Sequence, residues 1–389
     1  MNKLIPLKHI LTTFLLLLVS SFHVNALYAQ NTNFDVPPPP KLKASNYLLW
    51  DANSGHVLAE QNIDERINPA SITKLMTSYV IAAELAAQRI SLSDEVTISE
   101  EAYKTGGSRM FIEVNSKVKV KDLLKGLIIQ SGNDAAVALA EYVAGSEESF
   151  VDRMNQYAQK LGMENTQYMN STGFTAEGHY TSARDIALLS KALIRDYPEH
   201  YQLYSQKEFT FNKITQQNRN TLLWKDDAID GLKTGYTEAA GYCLAASAEK
   251  NGMRLISVVL GTSSENARAT QSQNLLNYGF RFFESQILYT ANTEILQQKI
   301  WKAEQDKVSL GLKEPLVVTF PRGRYKDLII NSNIPKQIVA PLSNEPLGVL
   351  EVRLDNQVLA SVPLYSLSSV NEAGLFKRML DSVKMKFDD

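Results

Sequence analysis

The chain has 389 residues, of which 44% are hydrophobic and 21% charged, proportions of a globular protein and not of a disordered or fibrous one; the length allows two or three domains. A formal charge of −2 leaves no basic footprint for nucleic acid. The single cysteine, Cys243, excludes an internal disulfide and any multi-cysteine zinc site, and His56, His179 and His200 are scattered with no His-Glu-x-x-His pattern, so neither a metal nor a cofactor is expected.

Residues 1–29 read as an export signal. Lys3 and Lys8 precede a short leucine-rich run, Ile10 to Val19, and small residues then allow cleavage after Ala26 or Ala29. The run is shorter than the ~20 residues of a comfortable membrane span, so an uncleaved anchor is the weaker alternative. Residues 30–42 form a linker, stiffened by four consecutive prolines, Pro37 to Pro40.

The main domain is expected over residues 43–285. Tyr47–Trp50 and Val57–Ala59 flank Asn53-Ser54-Gly55 and predict a hairpin. A helix is predicted from about Pro69 to Gln88, with proline in its first turn and an apolar stripe of Leu75, Met76, Tyr79, Val80 and Ala83. Val114 to Val120 alternates like a strand. Helices follow near Lys121–Ile129, Asp134–Val143, Glu147–Leu161 and Ser182–Arg195, the last with a start resembling a capping box. Tyr242–Ala248 and Arg254–Gly261 predict two strands joined at Lys250-Asn251-Gly252, and a helix is predicted from Ser264 to Gly279. Strands at both ends and helices between them predict an α+β domain, an antiparallel sheet covered by helices.

Residues 286–372 change texture. Leu316–Phe320, Leu328–Ile330, Gly348–Leu354 and Val358–Leu364 predict a small all-β domain, a spacer or docking module without a catalytic grouping. Residues 373–389 form an amphipathic helix. Leu375, Phe376, Met379, Leu380, Val383 and Phe387 share a face, and Lys377, Arg378, Lys384 and Lys386 lie largely elsewhere. That pattern suits a helix lying in a membrane interface; a helix packed on the β-domain is the alternative.

Three short motifs stand in order: Ser71-Ile72-Thr73-Lys74, Ser131-Gly132-Asn133 and Lys233-Thr234-Gly235. A serine hydroxyl needs a base close by, and Lys74, one helical turn from Ser71, shares its face. Lysine serves as a base only when burial or a second cation makes its neutral form accessible, and Lys233 is the expected second cation. Ser131 is expected to relay protons and Asn133 to bond a substrate amide. Lys233 and Thr234 are expected to meet a substrate carboxylate, and Gly235 to let the strand approach the substrate. Each motif recurs elsewhere. Ser116-Lys117-Val118-Lys119 is set aside because strand alternation would send its ends to opposite faces. Lys104-Thr105-Gly106 precedes the second motif and reads as a glycine-rich loop.

With these motifs the chain resembles the low-molecular-mass penicillin-binding proteins of the D-alanyl-D-alanine carboxypeptidase type. The likeness extends to Pro69–Val80, Gln130–Ala135, Asn218–Trp224, Asp230–Gly235, Gly279–Glu284 and Phe320-Pro321-Arg322-Gly323. It implies a β-lactamase/transpeptidase-like fold, an antiparallel sheet with helices on both faces plus a helical subdomain, followed by the β-domain and terminal helix. It further implies that Ser71 is acylated by the penultimate D-Ala of peptidoglycan stem peptides, with Lys74 as base, and that water then frees the enzyme. The oxyanion donors are the backbone N–H groups of Ser71 and Tyr236, and Arg219 joins Thr234 on the terminal carboxylate. β-Lactams are implied inhibitors. The periplasmic face of the bacterial inner membrane, reached through the C-terminal helix, is the implied location. The departures are Tyr236 and Ser171-Thr172-Gly173, where some members carry histidine. The rival readings are a β-lactamase, for which Glu177 lacks a fitting water-activating segment, and a catalytically silent envelope-binding protein.

Overall fold

The computed structural model describes residues 36–387; the expected export signal lies outside them. The elements that position the site are, in chain order, β1 (Asn46–Asp51), β2 (Val57–Gln61), α1 (Lys74–Ala86), α2 (Asn133–Ala144), α3 (Glu147–Lys160), α4 (Ala183–Asp196), β3 (Ile229–Thr237), β4 (Gly241–Lys250), β5 (Met253–Thr262) and α5 (Glu265–Phe282). The second part adds β6 (Phe283–Tyr289), β7 (Leu316–Pro321) and α6 (Leu375–Lys384).

Five strands form an antiparallel sheet in the order β2-β1-β5-β4-β3. Its inner strands are buried along nearly their whole length, so β5 reads as an apolar run (Leu255 to Leu260) instead of an alternation. Successive side chains of a strand face opposite ways. Leu48 of β1 joins the core beneath α1 and α4, while Leu49 meets α5, where a Cβ on Gly279 would lie 3.1 Å from Leu49 Cδ2. Glycine there lets α5 lie close to the sheet. The helical side is one continuous core running from Leu75 and Met76 through Leu123, Leu139 and Phe150 to Leu189.

Several predicted elements change in detail. The first helix opens as a 3-10 turn, Ala70–Thr73, before α1. The Lys121–Ile129 segment splits into a short α-helix, Val120–Lys125, and a π-turn, Gly126–Gln130, ending at Ser131 with φ +66°. Only Lys117–Lys119 of the Val114–Val120 segment is a strand; Asn115 has φ +62° and Ser116 sits in a turn on the Glu113 carbonyl. The turn, and not strand alternation, therefore sets Ser116 apart from Lys119.

The second part contains a six-stranded sheet built from Leu296–Trp301, Lys307–Gly311, Leu328–Asn333, Ile338–Val339, Gly348–Leu354 and Gln357–Ser366. The first two strands are too polar to announce themselves. β6 pairs with β7, opposing Ser285 to Thr319. Here the two parts of the chain join through a fully buried carboxylate. Asp51, at the end of β1, accepts from Asn53 N (2.8 Å), Thr319 Oγ1 (2.8 Å) and Ser285 Oγ.

Helix α6 is held by its polar side. Asp381 accepts from Lys302 N at 2.7 Å, Lys377 pairs with Asp306 and Arg378 with Glu372. Leu375, Phe376 and Phe387 are each more than three-quarters exposed. The helix thus rests on the β-domain and turns its apolar face outward. Among the described residues no helix is long and apolar enough to cross a membrane.

Candidate active site

Ser71 lies in the 3-10 turn before α1, and Lys74 is the first residue of α1. Three residues of tight helix bring Lys74 Nζ to 3.1 Å from Ser71 Oγ. The amine is buried and also contacts Asn133 Oδ1 (2.7 Å) and the Thr172 carbonyl (2.5 Å). Charged, it donates to all three oxygens. Neutral, it has two hydrogens, which the two carbonyls take, and its lone pair is left for the Ser71 hydroxyl. The Lys74 pKa is lowered to about 7, chiefly by burial, with the carboxylates of Asp134 and Glu147 opposing and Arg219 assisting. Burial is thus the first cause of the shift, with Arg219 as a helping cation.

Ser131 follows the π-turn and Asn133 opens α2. Asn133 Nδ2 donates to the Gly106 carbonyl at 2.7 Å, which uses one of its two N–H groups. The next residue, Asp134, is buried and accepts from the backbone N–H groups of Met110 (3.0 Å) and Phe111 (3.0 Å), pinning the loop after Gly106 beside the cleft.

Strand β3 forms the opposite wall. Lys233 is buried and donates to Ser131 Oγ (2.8 Å) and the Thr234 carbonyl (3.0 Å). Burial pushes its pKa well below the usual lysine value, and the charges of Lys74, Arg219 and Arg268 push the same way. Thr234 is buried beside it, and Tyr236 is half exposed with its ring 4.2 Å from that of Tyr242. A Cβ on Gly235 would lie 3.2 Å from Ala70 Cβ and Ile72 Cγ1. The absence of a side chain here lets β3 pack closely against the Ser71 turn. Arg219 is exposed; its Nε donates to the Gln130 carbonyl at 3.2 Å, just before Ser131.

The fold adds residues that the motifs do not contain. The segment 170–174 supplies the Thr172 carbonyl, and Gly173, at φ +90°, lies so close to Ala70 that a Cβ would strike the Ala70 carbonyl. His179 is buried and its pKa falls to about 4 through desolvation. Its Nδ1 accepts from Met169 N (3.4 Å), which makes Nε2–H the donor to Thr73 Oγ1 (3.0 Å), one residue from Lys74. Glu177 is exposed in a turn.

Comparison with known proteins gives a consistent result. The family model described as D-alanyl-D-alanine carboxypeptidase matches residues 32–264, and that of the penicillin-binding protein 5 C-terminal domain matches residues 283–372. The chain is 46% identical over 357 residues to the D-alanyl-D-alanine carboxypeptidase DacC of Escherichia coli (strain K12), covering 90% of this chain and 89% of that one. It is 42% identical over 378 residues to DacA of the same organism, covering 94% and 93%. The crystal structure of penicillin binding protein 5 from Haemophilus influenzae superposes with a TM-score of 0.84 at 41% identity, covering 86% of this chain and all of that one.

Proposed function

Because the chain belongs to the D-alanyl-D-alanine carboxypeptidase family and is a serine-type D-Ala-D-Ala carboxypeptidase of peptidoglycan, we propose that Ser71 is its nucleophile and Lys74 the base that activates it. The observation that carries this reading is the contact of Lys74 Nζ with Ser71 Oγ, made by an amine whose neutral form is accessible near pH 7. Ser71 Oγ attacks the carbonyl carbon of the penultimate D-Ala, and Lys74 takes the hydroxyl proton. The oxyanion forms against the N–H groups of Ser71 and Tyr236. The peptide C–N bond then breaks, and the proton held by Lys74 passes by way of Ser131, which Lys233 holds, to the leaving D-Ala amine. Water attacks the acyl-Ser71 ester, its proton returns by way of Lys74, and the shortened peptide leaves. Arg219, Lys233 and Thr234 bind the terminal carboxylate, Gly235 keeps β3 against the Ser71 turn, and Asn133 offers its free N–H to the substrate amide. A β-lactam acylates the same serine.

The reading extends to location and domain use. Residues 1–29 direct export, 43–285 carry the chemistry and 286–372 form the β-domain. Residues 373–389 hold the enzyme peripherally at the periplasmic face of the inner membrane, a role supported by the outward apolar face of α6.

A fluorescent penicillin labels the wild-type protein covalently, and Ser71→Ala abolishes both the label and D-Ala release from a soluble peptide. Label retained in Ser71→Ala overturns the assignment. Truncation after Gly374 frees the protein from membranes and preserves activity on that peptide; retention on membranes overturns the anchor.

A further inference from the structure

The Thr172 carbonyl is one of two oxygens that occupy the hydrogens of neutral Lys74, and its aim is set by a neighbour that touches neither Lys74 nor Ser71. Asn170 Oδ1 accepts from Thr172 N (3.2 Å), Thr172 Oγ1 (3.0 Å) and Gly173 N (2.7 Å), and Asn170 Nδ2 donates to the Phe174 carbonyl at 3.0 Å. In a planar trans peptide the C=O and N–H point in opposite directions. Turning Gly173 N–H onto Asn170 therefore turns the Thr172 carbonyl away, onto Lys74 Nζ. The residue between them is bolted separately. Ser171 N and Oγ donate to Glu147 (2.8 and 2.6 Å), and its carbonyl accepts from Thr77 Oγ1 at 2.6 Å.

We propose that Asn170 is a positioning residue for acylation, which holds the Thr172–Gly173 peptide so that the lone pair of neutral Lys74 faces the Ser71 hydroxyl. The inference rests on Lys74 being the base. Charged groups act on that amine from every side: Asp134 from α2, Glu147 from α3, Arg219 from the loop before β3 and Lys233 from β3. A carbonyl acceptor favours the ammonium form, so it raises the Lys74 pKa while it orients the amine.

The test is the rate constant of acylation by a fluorescent penicillin, followed against pH in the full chain. Asn170→Ala releases the carbonyl. The alkaline plateau falls about tenfold or more from lost alignment, and the acid limb moves down by about one pH unit because the ammonium has lost an acceptor. Asn170→Asp keeps the oxygen that accepts from Thr172 and Gly173, gives up the Nδ2 bond to Phe174 and adds a negative charge; it retains more of the plateau than Asn170→Ala and its acid limb moves up. Opposite displacements are not produced by general loosening of a loop. Acid limbs unmoved in both variants, with Lys74→Ala unlabelled, overturn the role of Asn170 alone. Should Asn170→Ala fail to fold, an unmoved acid limb in Asn170→Asp overturns it by itself. Full labelling of Lys74→Ala overturns the assignment of the base, and the inference with it.

Discussion

Lys233 Nζ and Ser131 Oγ lie 2.8 Å apart, joining side chains separated by 102 residues across the floor of the cleft. Lys233 is buried, and its other oxygen contact is the carbonyl of its own neighbour, Thr234. On the proposed mechanism, what Lys233 does for proton transfer passes through Ser131, and a grip on the substrate carboxylate is its second part.

A double-mutant cycle separates the two parts. Lys233→Ala and Ser131→Ala are each expected to lower kcat/KM on a D-Ala-D-Ala peptide by about 100-fold or more, and the double variant to lose much less than the product of the two. Full additivity in steady-state assays would mean that the pair acts independently.

The pH profile follows from Lys74. Its pKa is depressed to about 7 by burial, so below that pH the amine carries a proton and cannot take another from Ser71. Acylation by a penicillin should rise through pH 7 and level off above it, with the midpoint reporting the free enzyme. A rate constant flat from pH 5 to pH 9 would exclude Lys74 as the titrating base.

The histidines set an acid limit on stability. His179 and His200 are both held near a pKa of about 4 by desolvation, His200 with Nε2 against Ser78 Oγ at 2.6 Å. The unfolded chain binds protons at the ordinary imidazole value while the folded chain does not. The stabilisation is thus complete above pH 6.5 and is lost as pH falls toward 4, on the order of 3 kcal/mol for each histidine. Melting temperatures taken from pH 7.5 to 4.5 should fall steeply in the wild type and less steeply in a His179→Gln, His200→Gln double variant. Equal slopes would contradict this.

Two glycines should differ in what they tolerate. Gly173→Ala drives a methyl into the Ala70 carbonyl at a positive φ, 2.9 Å from Ser71 N, and should slow acylation by about 100-fold or more or prevent folding. Gly235→Ala meets its neighbours at 3.2–3.3 Å, and a small shift of β3 should hold the loss to about tenfold. Labelling rates rank the two, and the reverse order would refute the geometry.

The parts of the site legible in sequence were those written in side chains at fixed spacing. Ser71 and Lys74 are three residues apart on one helical turn, and Ser131 and Lys233 stand in the ordered motifs Ser131-Gly132-Asn133 and Lys233-Thr234-Gly235; the fold brings all four together. Periodicity also marked α2, α3, α4, α5 and the pairing of β4 with β5. The Thr172 carbonyl left no such trace, because a backbone oxygen acts whatever side chain it carries. The local signals were Asn170 two residues earlier and Gly173 one later, an Asx-turn pattern common in loops, and the resemblance marked Ser171-Thr172-Gly173 only as a departure. Burial, the larger cause of the Lys74 shift, belongs to the assembled core and not to any local pattern. Leu296–Trp301 and Lys307–Gly311 escaped notice because solvent-facing Gln and Lys interrupt them.

The carboxylate of Asp51 has a consequence for how the whole chain comes apart. It ends a strand of the catalytic sheet and accepts hydroxyls from β6 and β7, so separating the two parts breaks the charge-assisted hydrogen bonds that join them. Such a cost disfavours a state in which one half is melted and the other intact. Heat should therefore meet a single cooperative block from the hairpin to the terminal strands, and an Asp51→Ala chain should show two calorimetric transitions in place of one.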